Sequence, residues 1–348
     1  LKYAREVISL RYFFKAHALP DTPTHKVIVG VTNEDPTPNM EYIQPLLEKY
    51  QLAIPEICTH KTPETPPWAN QPVKICSFLN NTKKNRNESE LRSEFLKHQE
   101  EHKSEPIYTD GSKMDQQVGW AAKFQTFTIS DRLPKLTSIF SAEIYAIKQA
   151  LEHIIREENR NKSFTIYSDS QSAIQSLKPK AKPSPLAEEI IVSHNTAASQ
   201  NITIDFCWVP GHIDIKGNEE ADVAAKNAAL NNNLPTNGKP ILHTDMRKPI
   251  REAINKAWLN EWLNLDREGA KLREIKHSTS KWDSSYYKNR RMETTISRLR
   301  IGHTNLTHSY LMQGQANPPV CDRCNQPITV KRILLECRKF TTIQNKYF

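Results

Sequence analysis

Apolar positions recur with helical spacing near the start of the chain: Ala4, Val7, Ile8, Leu10 and Phe13 or Phe14 share one face over residues 2–14, and Pro20 closes this first predicted helix. Prolines then recur from Pro23 to Pro72, a density that argues against long regular elements up to about residue 79. Residues 80–104, rich in Asn, Lys and Glu, read as a polar linker with a helix around 89–98, and a domain boundary is expected near Ser104. Beyond it the texture changes. Residues 107–109 read as a short strand ending at Asp110-Gly111-Ser112, and 118–124 and 127–130 follow as two further strands of a meander. Residues 141–158 carry Ile144, Ile147, Ala150, Leu151 and Ile154 at helical period; then come a strand at 164–167, helices at 170–177 and 186–198, a strand at 202–208 and a helix at 218–229. The order βββ-α-β-α-β-α predicts an α/β fold with a mixed five-stranded sheet, helices on both faces and ligands at the carboxyl ends of strands. After a polar bridge at 231–239, helices are expected at 250–273 and 290–301, giving a mostly helical C-terminal tail.

Length and composition narrow the picture. The 348 residues leave room for two or three domains. No apolar run approaches the roughly 18–20 residues of a bilayer helix, and Arg5, Arg11 and Lys15 interrupt the first twenty residues, so neither a membrane partner nor a secretory leader is expected. The chain begins with Leu1, which reads as the start of an excised piece of something longer. Six cysteines are too few for a disulfide scaffold and point to a reducing, intracellular setting, nucleus or cytoplasm. The net charge of +9 is unevenly spread. Residues 1–103 hold 14 Lys/Arg against 13 Asp/Glu, residues 104–230 hold 13 against 16, and residues 231–348 hold 21 against 10. An acidic centre with a basic tail fits a tail that meets a polyanion, or simply a solvated basic helix face.

Four acids fall at special places in this topology: Asp110 at the end of the first strand, Glu143 in the first turn of the first helix of this region, Asp169 after the 164–167 strand, and Asp222 at the start of the 218–229 helix. Singly each has a bland reading as turn former or helix-end acid. Together they can converge above the sheet, where clustered carboxylates repel unless cations neutralise them. An all-oxygen ligand set selects Mg²⁺ or Mn²⁺, and two such ions about 4 Å apart activate water and stabilise the leaving oxygen of a phosphodiester.

The stretches Tyr108-Thr109-Asp110-Gly111-Ser112, Ser141-Ala142-Glu143-Ile144-Tyr145-Ala146-Ile147, Tyr167-Ser168-Asp169-Ser170-Gln171-Ser172-Ala173 and Trp208-Val209-Pro210-Gly211-His212, running on to Gly217-Asn218-Glu219-Glu220-Ala221-Asp222, resemble ribonuclease H in order and spacing over about 104–230. The last phrase looks like the form found at the C-terminal end of non-LTR retrotransposon polyproteins of the jockey kind. The resemblance implies a ribonuclease H-like fold and metal-dependent cleavage of the RNA strand of RNA/DNA hybrids, leaving 3′-hydroxyl and 5′-phosphate ends. It implies Asp110, Glu143, Asp169 and Asp222 as holders of two Mg²⁺ ions, for which Mn²⁺ can substitute. His212 becomes an aid to proton transfer and product release, a task suited to imidazoles, which in general titrate near neutral pH. Gly111 allows close backbone approach, and Ser112, Ser170, Gln171 and Asn218 are expected to contact phosphates or 2′-hydroxyls, with helix caps and turns as their plainer role. The chain departs from the family at two places. Ser141 stands where many ribonucleases H place an Asn. In place of a basic protrusion there are only Lys178, Lys180 and Lys182, so the basic tail is expected to grip the hybrid and other nucleic acid.

Cys321 and Cys324 have the spacing that lets two thiolates grip one Zn²⁺, and Cys337 follows thirteen residues later. The related retrotransposon tails carry a Cys-x2-Cys-x7-His-x4-Cys knuckle, and the histidine position falls on Arg332, which cannot ligate a metal. The expectation is a degenerate knuckle; the alternative is a zinc site completed by His303 or His308. The chain thus divides into a reverse transcriptase remnant and linker (1–103), a ribonuclease H domain (104–230) and a basic helical tail (231–348), the rest of the polyprotein being a further partner. Two other readings stay open: a nucleic-acid-binding remnant whose nuclease has decayed, and an integrase- or transposase-like phosphodiesterase, disfavoured by the His212 loop.

Overall fold

The computed structural model describes residues 2–28, 38–59, 72–77, 87–157, 159–178, 184–264, 276–280, 289–314 and 316–347. They form two compact units, Leu1–Arg251 and Glu252–Phe348. Among the described residues no helix is long and apolar enough to cross a membrane. The Asn/Lys run at 80–86, Lys180, Lys182 and the end of the helix expected to reach residue 273 lie outside the described residues.

The first unit opens with α1 (Lys2–His17), α2 (Pro23–Ile28) and α3 (Pro38–Lys49). The α1 stripe buries Leu10, Phe13 and Phe14, while Ile43, Leu46 and Leu47 of α3 are buried in turn. Buried Glu6 is held by Lys49 at 3.0 Å and by the Tyr50 hydroxyl. Then come β1 (Ile75–Cys76), α4 (Glu88–Glu101), β2 (Glu105–Met114), β3 (Gln117–Lys123), β4 (Thr128–Leu133), α5 (Ile139–Arg156), β5 (Ser163–Ser168), α6 (Gln171–Ser176), α7 (Pro185–Ser199), β6 (Thr203–Trp208) and α8 (Lys216–Leu230). The strands form one mixed sheet in the order β1-β6-β5-β2-β3-β4. The expected five strands are therefore joined by a sixth, β1, a two-residue segment too short for any alternation to reveal; it runs parallel to β6 and is tied to it by Lys74 Nζ, 2.6 Å from Asp205.

Alternation along the strands separates two cores. Ile107, Val118, Trp120 and Ala122 join Ile144, Ile147, Leu151 and Ile154 of α5 and the inward residues of α6 and α7. Tyr108, Tyr167 and Cys207 face the other way, toward Phe95 of α4 and Ala221 of α8. Helices thus cover both faces. On the α8 side the fit is tight: a Cβ on Gly119 of β3 would stand 2.5 Å from the Ala225 carbonyl and the Ala229 amide, so only glycine lets the alanine-rich face of α8 lie this close.

Three boundaries differ from the sequence expectation in ways that move the acids. β2 does not end at Asp110. Asp110, Gly111 and Ser112 continue the ladder opposite Ala121, Trp120 and Gly119, and the chain turns only at Asp115, whose φ of 51° takes the left-handed turn. α5 begins at Ile139 beneath the Ser138 cap, whose hydroxyl accepts from the Ser141 amide at 3.1 Å, so Glu143 lies in its second turn. α8 begins at Lys216, which places Asp222 inside the helix rather than at its start.

Residues 231–251 fold with the first unit. Leu242 enters the α5 core, Ile241 bridges to Ile57, and Asp245 accepts a hydrogen bond from Ser141 Oγ at 2.7 Å. The second unit contains most of α9 (Arg247–Asn264), helices Arg290–Ile301 and Asn305–Met312, and a cysteine-bearing knuckle followed by a last helix, Thr341–Tyr347.

Candidate active site

Parallel pairing of β2 with β5 matches Thr109 to Ser168. Asp110 and Asp169 are the next residues along, so they stand side by side, Asp110 within β2 and Asp169 just past the carboxyl end of the adjacent parallel strand β5. Asp169 is fixed by its own main chain: its carbonyl accepts from Trp208 Nε1 at 2.9 Å and from the Gln171 amide at 3.0 Å. Glu143 arrives from α5, which approaches β2 at Gly111. A Cβ there would lie 2.6 Å from the Glu143 amide nitrogen, so glycine is required for the helix to come this near.

One carboxylate oxygen from each of Asp110, Glu143 and Asp169 falls within 4.8 Å of the others. Asp110 and Glu143 are buried and Asp169 is half-buried. Burial, followed by the charges of Asp169 and Asp222, pushes the Asp110 carboxyl up to about 8. Burial and the charges of Asp110 and Asp169 push Glu143 up to about 10. The Gly111 amide hydrogen-bonds both carboxylates and opposes the shift in each. Asp169 is also raised by burial, against the pull of an Asn218 hydrogen bond and the His212 charge.

Asp222 stands outside this trio. Its carboxylate accepts from Lys226 Nζ at 2.6 Å, one helical turn along, and its charge still reaches Asp110, Glu143 and Asp169. The pairing holds the Lys226 ammonium above its usual range. Lys226 is absent from the sequence expectation; the i,i+4 spacing on a helix, acid first, is the signal that finds it.

The remaining expected residues sit as follows. His212 is exposed on the loop between β6 and α8, with φ of 57°, close enough to Asp169 for its charge to lower that carboxyl. Asn218 is buried and bound to Asp169, which makes it a brace for an acid. Ser170 caps α6, accepting from the Ala173 amide at 3.4 Å. Ser112 is buried and Gln171 is exposed. Ser141, at the position where the family often has Asn, is buried and donates to Asp245, so its hydroxyl is committed to anchoring the 231–251 segment.

The donor set fits a hard divalent cation. It offers carboxylate oxygens only, Glu143 Oε2 is buried with no partner among the described residues, and the burial and repulsion that raise Asp110 and Glu143 are what a cation would offset. In a mixed α/β domain, such an acidic pocket beside the sheet is one that could hold a divalent metal. Residues 102–230 match the family model of RNase H. This part of the chain is a ribonuclease H domain, the class of enzyme that cleaves RNA in RNA/DNA hybrids and works with divalent metals such as Mg²⁺. A comparison with curated proteins found no match.

A second ligand cluster lies in the other unit. Cys337 Sγ is 3.5 Å from Cys321 Sγ and 3.7 Å from Cys324 Sγ. The knuckle is closed by Cys321 N donating to the Gln326 carbonyl and Asn325 N to the Cys321 carbonyl, each at 2.9 Å, with Asn325 left-handed at φ 51°. The amides of Arg323 and Cys324 draw the Cys321 thiol below its ordinary range, while burial holds Cys337 above it. His303 and His308 stack on one another, 3.8 Å between ring centroids, and neither joins the thiol group. Arg332 does: its Nη2 donates to Cys324 Sγ at 3.5 Å.

Proposed function

We propose that the domain hydrolyses the RNA strand of RNA/DNA hybrids by two-metal phosphodiester hydrolysis, with Asp110, Glu143, Asp169 and Asp222 as the metal-holding set. The observation that carries this reading is the convergence of three carboxylates around a buried, unpartnered Glu143 oxygen, inside the stretch that matches the family. Bound Mg²⁺, or Mn²⁺ in its place, supplies an activated water and charge stabilisation at the leaving oxygen. The chain's own residues do the rest. Asp110 and Glu143 give up the protons that burial and mutual repulsion favour, and with Asp169 present three negative charges to the metal. Asn218 and the Asp169 main-chain contacts hold that carboxylate in place. Water oxygen bonds to phosphorus, the P–O3′ bond breaks, and the proton goes to the departing O3′, leaving a 3′-hydroxyl and a 5′-phosphate. His212 is the group assigned to carry that proton and help the product leave, a role supported by its exposure and by its charge acting on Asp169.

Gly111, Ser112, Ser170, Gln171 and Asn218 remain the proposed hybrid contacts, with Gln171, exposed at the start of α6, the most accessible. The domain carries more acidic than basic residues and the tail the reverse, which supports the tail as the grip on the hybrid and on other nucleic acid. The parent we infer is a jockey-like non-LTR retrotransposon polyprotein, acting inside the cell in nucleus or cytoplasm, with 1–103 as the end of its reverse transcriptase region. Incubating the chain and Mg²⁺ with labelled RNA/DNA hybrid, duplex DNA and duplex RNA tests the reading. Cleavage confined to the hybrid supports it, and cleavage of duplex DNA selects the integrase-like alternative.

The thiol trio supports a second, smaller reading: a degenerate zinc knuckle that holds Zn²⁺ weakly. Three ligands converge, but no fourth ligand joins them among the described residues, and the Arg332 guanidinium, 3.5 Å from Cys324 Sγ, repels the ion.

A further inference from the structure

The His212 loop is irregular, and two of its residues hold left-handed backbone, His212 at φ 57° and Asp214 at φ 60°. Neither is glycine, and although His and Asp enter this region more readily than most residues, the surroundings of the loop hold it there. What imposes it is a set of apolar anchors on either side of His212. Val209, Ile213 and Ile215 are buried in one cluster with Tyr108, Tyr167, Cys207 and Phe95. All of these but Phe95 belong to residues 102–230; Phe95 comes from α4, which ends at Glu101, just before the matched stretch begins.

α4 is built for that position. Asn87 caps it, its side chain accepting from the Glu90 amide at 2.8 Å. Leu91, Phe95 and His98, spaced four and three residues apart, form its inward stripe. Phe95 is buried with its ring edge-on to Tyr167, 5.2 Å between centroids at 78°, and Tyr167 stacks on Tyr108 at 5.3 Å. Gln99 Nε2 donates to the Tyr108 hydroxyl at 3.0 Å, and Arg92 reaches the loop itself, 3.3 Å from Asp214. One helix therefore touches the strands that carry Asp110 and Asp169 and the loop that carries His212.

We propose that α4 is the positioning element of the His212 loop, with Phe95 its anchor, so that a helix outside the matched domain sets the geometry of proton transfer. The inference rests on the role proposed for His212. Phe95 touches no reacting atom, so its removal is expected to act through His212 and to leave the carboxylate cluster intact.

The test uses the full chain with Phe95→Ala, Phe95→Leu, His212→Ala and the Phe95→Ala/His212→Ala double variant. Hydrogen exchange over residues 209–215 is expected to accelerate in Phe95→Ala and to recover in Phe95→Leu, with Mn²⁺ binding unchanged. On a hybrid substrate, kcat is expected to fall about tenfold with KM unchanged, and the double variant is expected to be no slower than His212→Ala alone. Unchanged exchange, or a loss in the double variant equal to the product of the single losses, overturns the proposal. Should Phe95→Ala fail to fold, Arg92→Glu is read in its place, since it turns the exposed Arg92–Asp214 attraction into repulsion without opening the core. Should the wild-type chain leave hybrids uncut, the proposed function falls, and the exchange comparison alone decides whether α4 holds the loop.

Discussion

Among the described residues there are two clusters of metal-ligand side chains, and they solve the same electrostatic problem in opposite ways. In the carboxylate cluster, Asp110, Glu143 and Asp169 come from the middle of one strand, a helix and the end of a second strand, so long-range packing brings them together, and the charges of Lys226 and His212 offset Asp110 and Asp169 only in part. The cost appears as carboxyls that keep their protons. In the thiol cluster, the ligands come from one short knuckle and a nearby turn, and the Arg332 guanidinium donates to a sulfur. A cluster offset only in part calls for a metal; a cluster with its own counter-charge has less need of it. Asp222 lies between these cases, already paired with Lys226 but with its charge still reaching the trio.

The largest effect expected from breaking this contrast is in Asp169→Asn. It removes a ligand charge without removing bulk, and hybrid cleavage should fall by at least about 10³-fold while the zinc content of the tail stays the same. Arg332→His should do the reverse. It replaces a repelling guanidinium with a fourth ligand, and zinc affinity measured against a competing chelator is expected to rise at least about tenfold, with cleavage unaffected.

Acidity offers a gentler probe. Asp110 and Glu143 bind their protons more tightly in the folded chain than in the unfolded one, so the stabilisation is complete below their ordinary values of 3.8 and 4.5. It is lost as pH rises toward about 8 for Asp110 and about 10 for Glu143. Without divalent ions, the melting temperature of the first unit is therefore expected to fall across that window. Mg²⁺ should restore it most at the alkaline end, and Glu143→Gln should flatten the slope. A melting temperature that climbs with pH in this window would contradict the assigned repulsion. The smallest effect belongs to Lys226→Ala. Loss of a half-exposed i,i+4 pair is worth a few tenths of a kcal/mol, so the Mg²⁺ concentration giving half-maximal cleavage should drop by only about twofold.

The tail can be separated from the nuclease unit as well. Leu242 and Asp245 belong to the first unit, so removal should begin after Asn264, the end of α9, rather than at residue 231. Hybrid affinity is expected to weaken, and its dependence on salt to become shallower as phosphate contacts are lost. An unchanged salt slope would return the grip to the domain itself.

Most of the fold was legible because its signals are local. The apolar period of α5, expected over 141–158 and found over 139–156, and the compact strand expected at 164–167 and found at 163–168 both act within a few residues of chain. β1 was not legible, since two residues cannot alternate and its pairing with β6 spans about 130 residues of chain. The extension of β2 through Asp110-Gly111-Ser112 was hidden because those residue types ordinarily make turns; here the partner strand and a helix pressed against Gly111 override that preference. The acids could be picked out by their motifs, and the register of β2 with β5 explains why two of them meet. Lys226 and Phe95 were missed for different reasons. The first needed only helix spacing, while the second needed to know that α4 folds back over the loop between β6 and α8.

The most direct measurement is cleavage of a 5′-labelled RNA annealed to DNA by the full chain at graded Mg²⁺, with Asp169→Asn beside it. The expected result is metal-dependent product ending in a 3′-hydroxyl from the wild-type chain and none from the variant. Absence of product at every Mg²⁺ concentration, or the same product from both chains, would contradict a working carboxylate site.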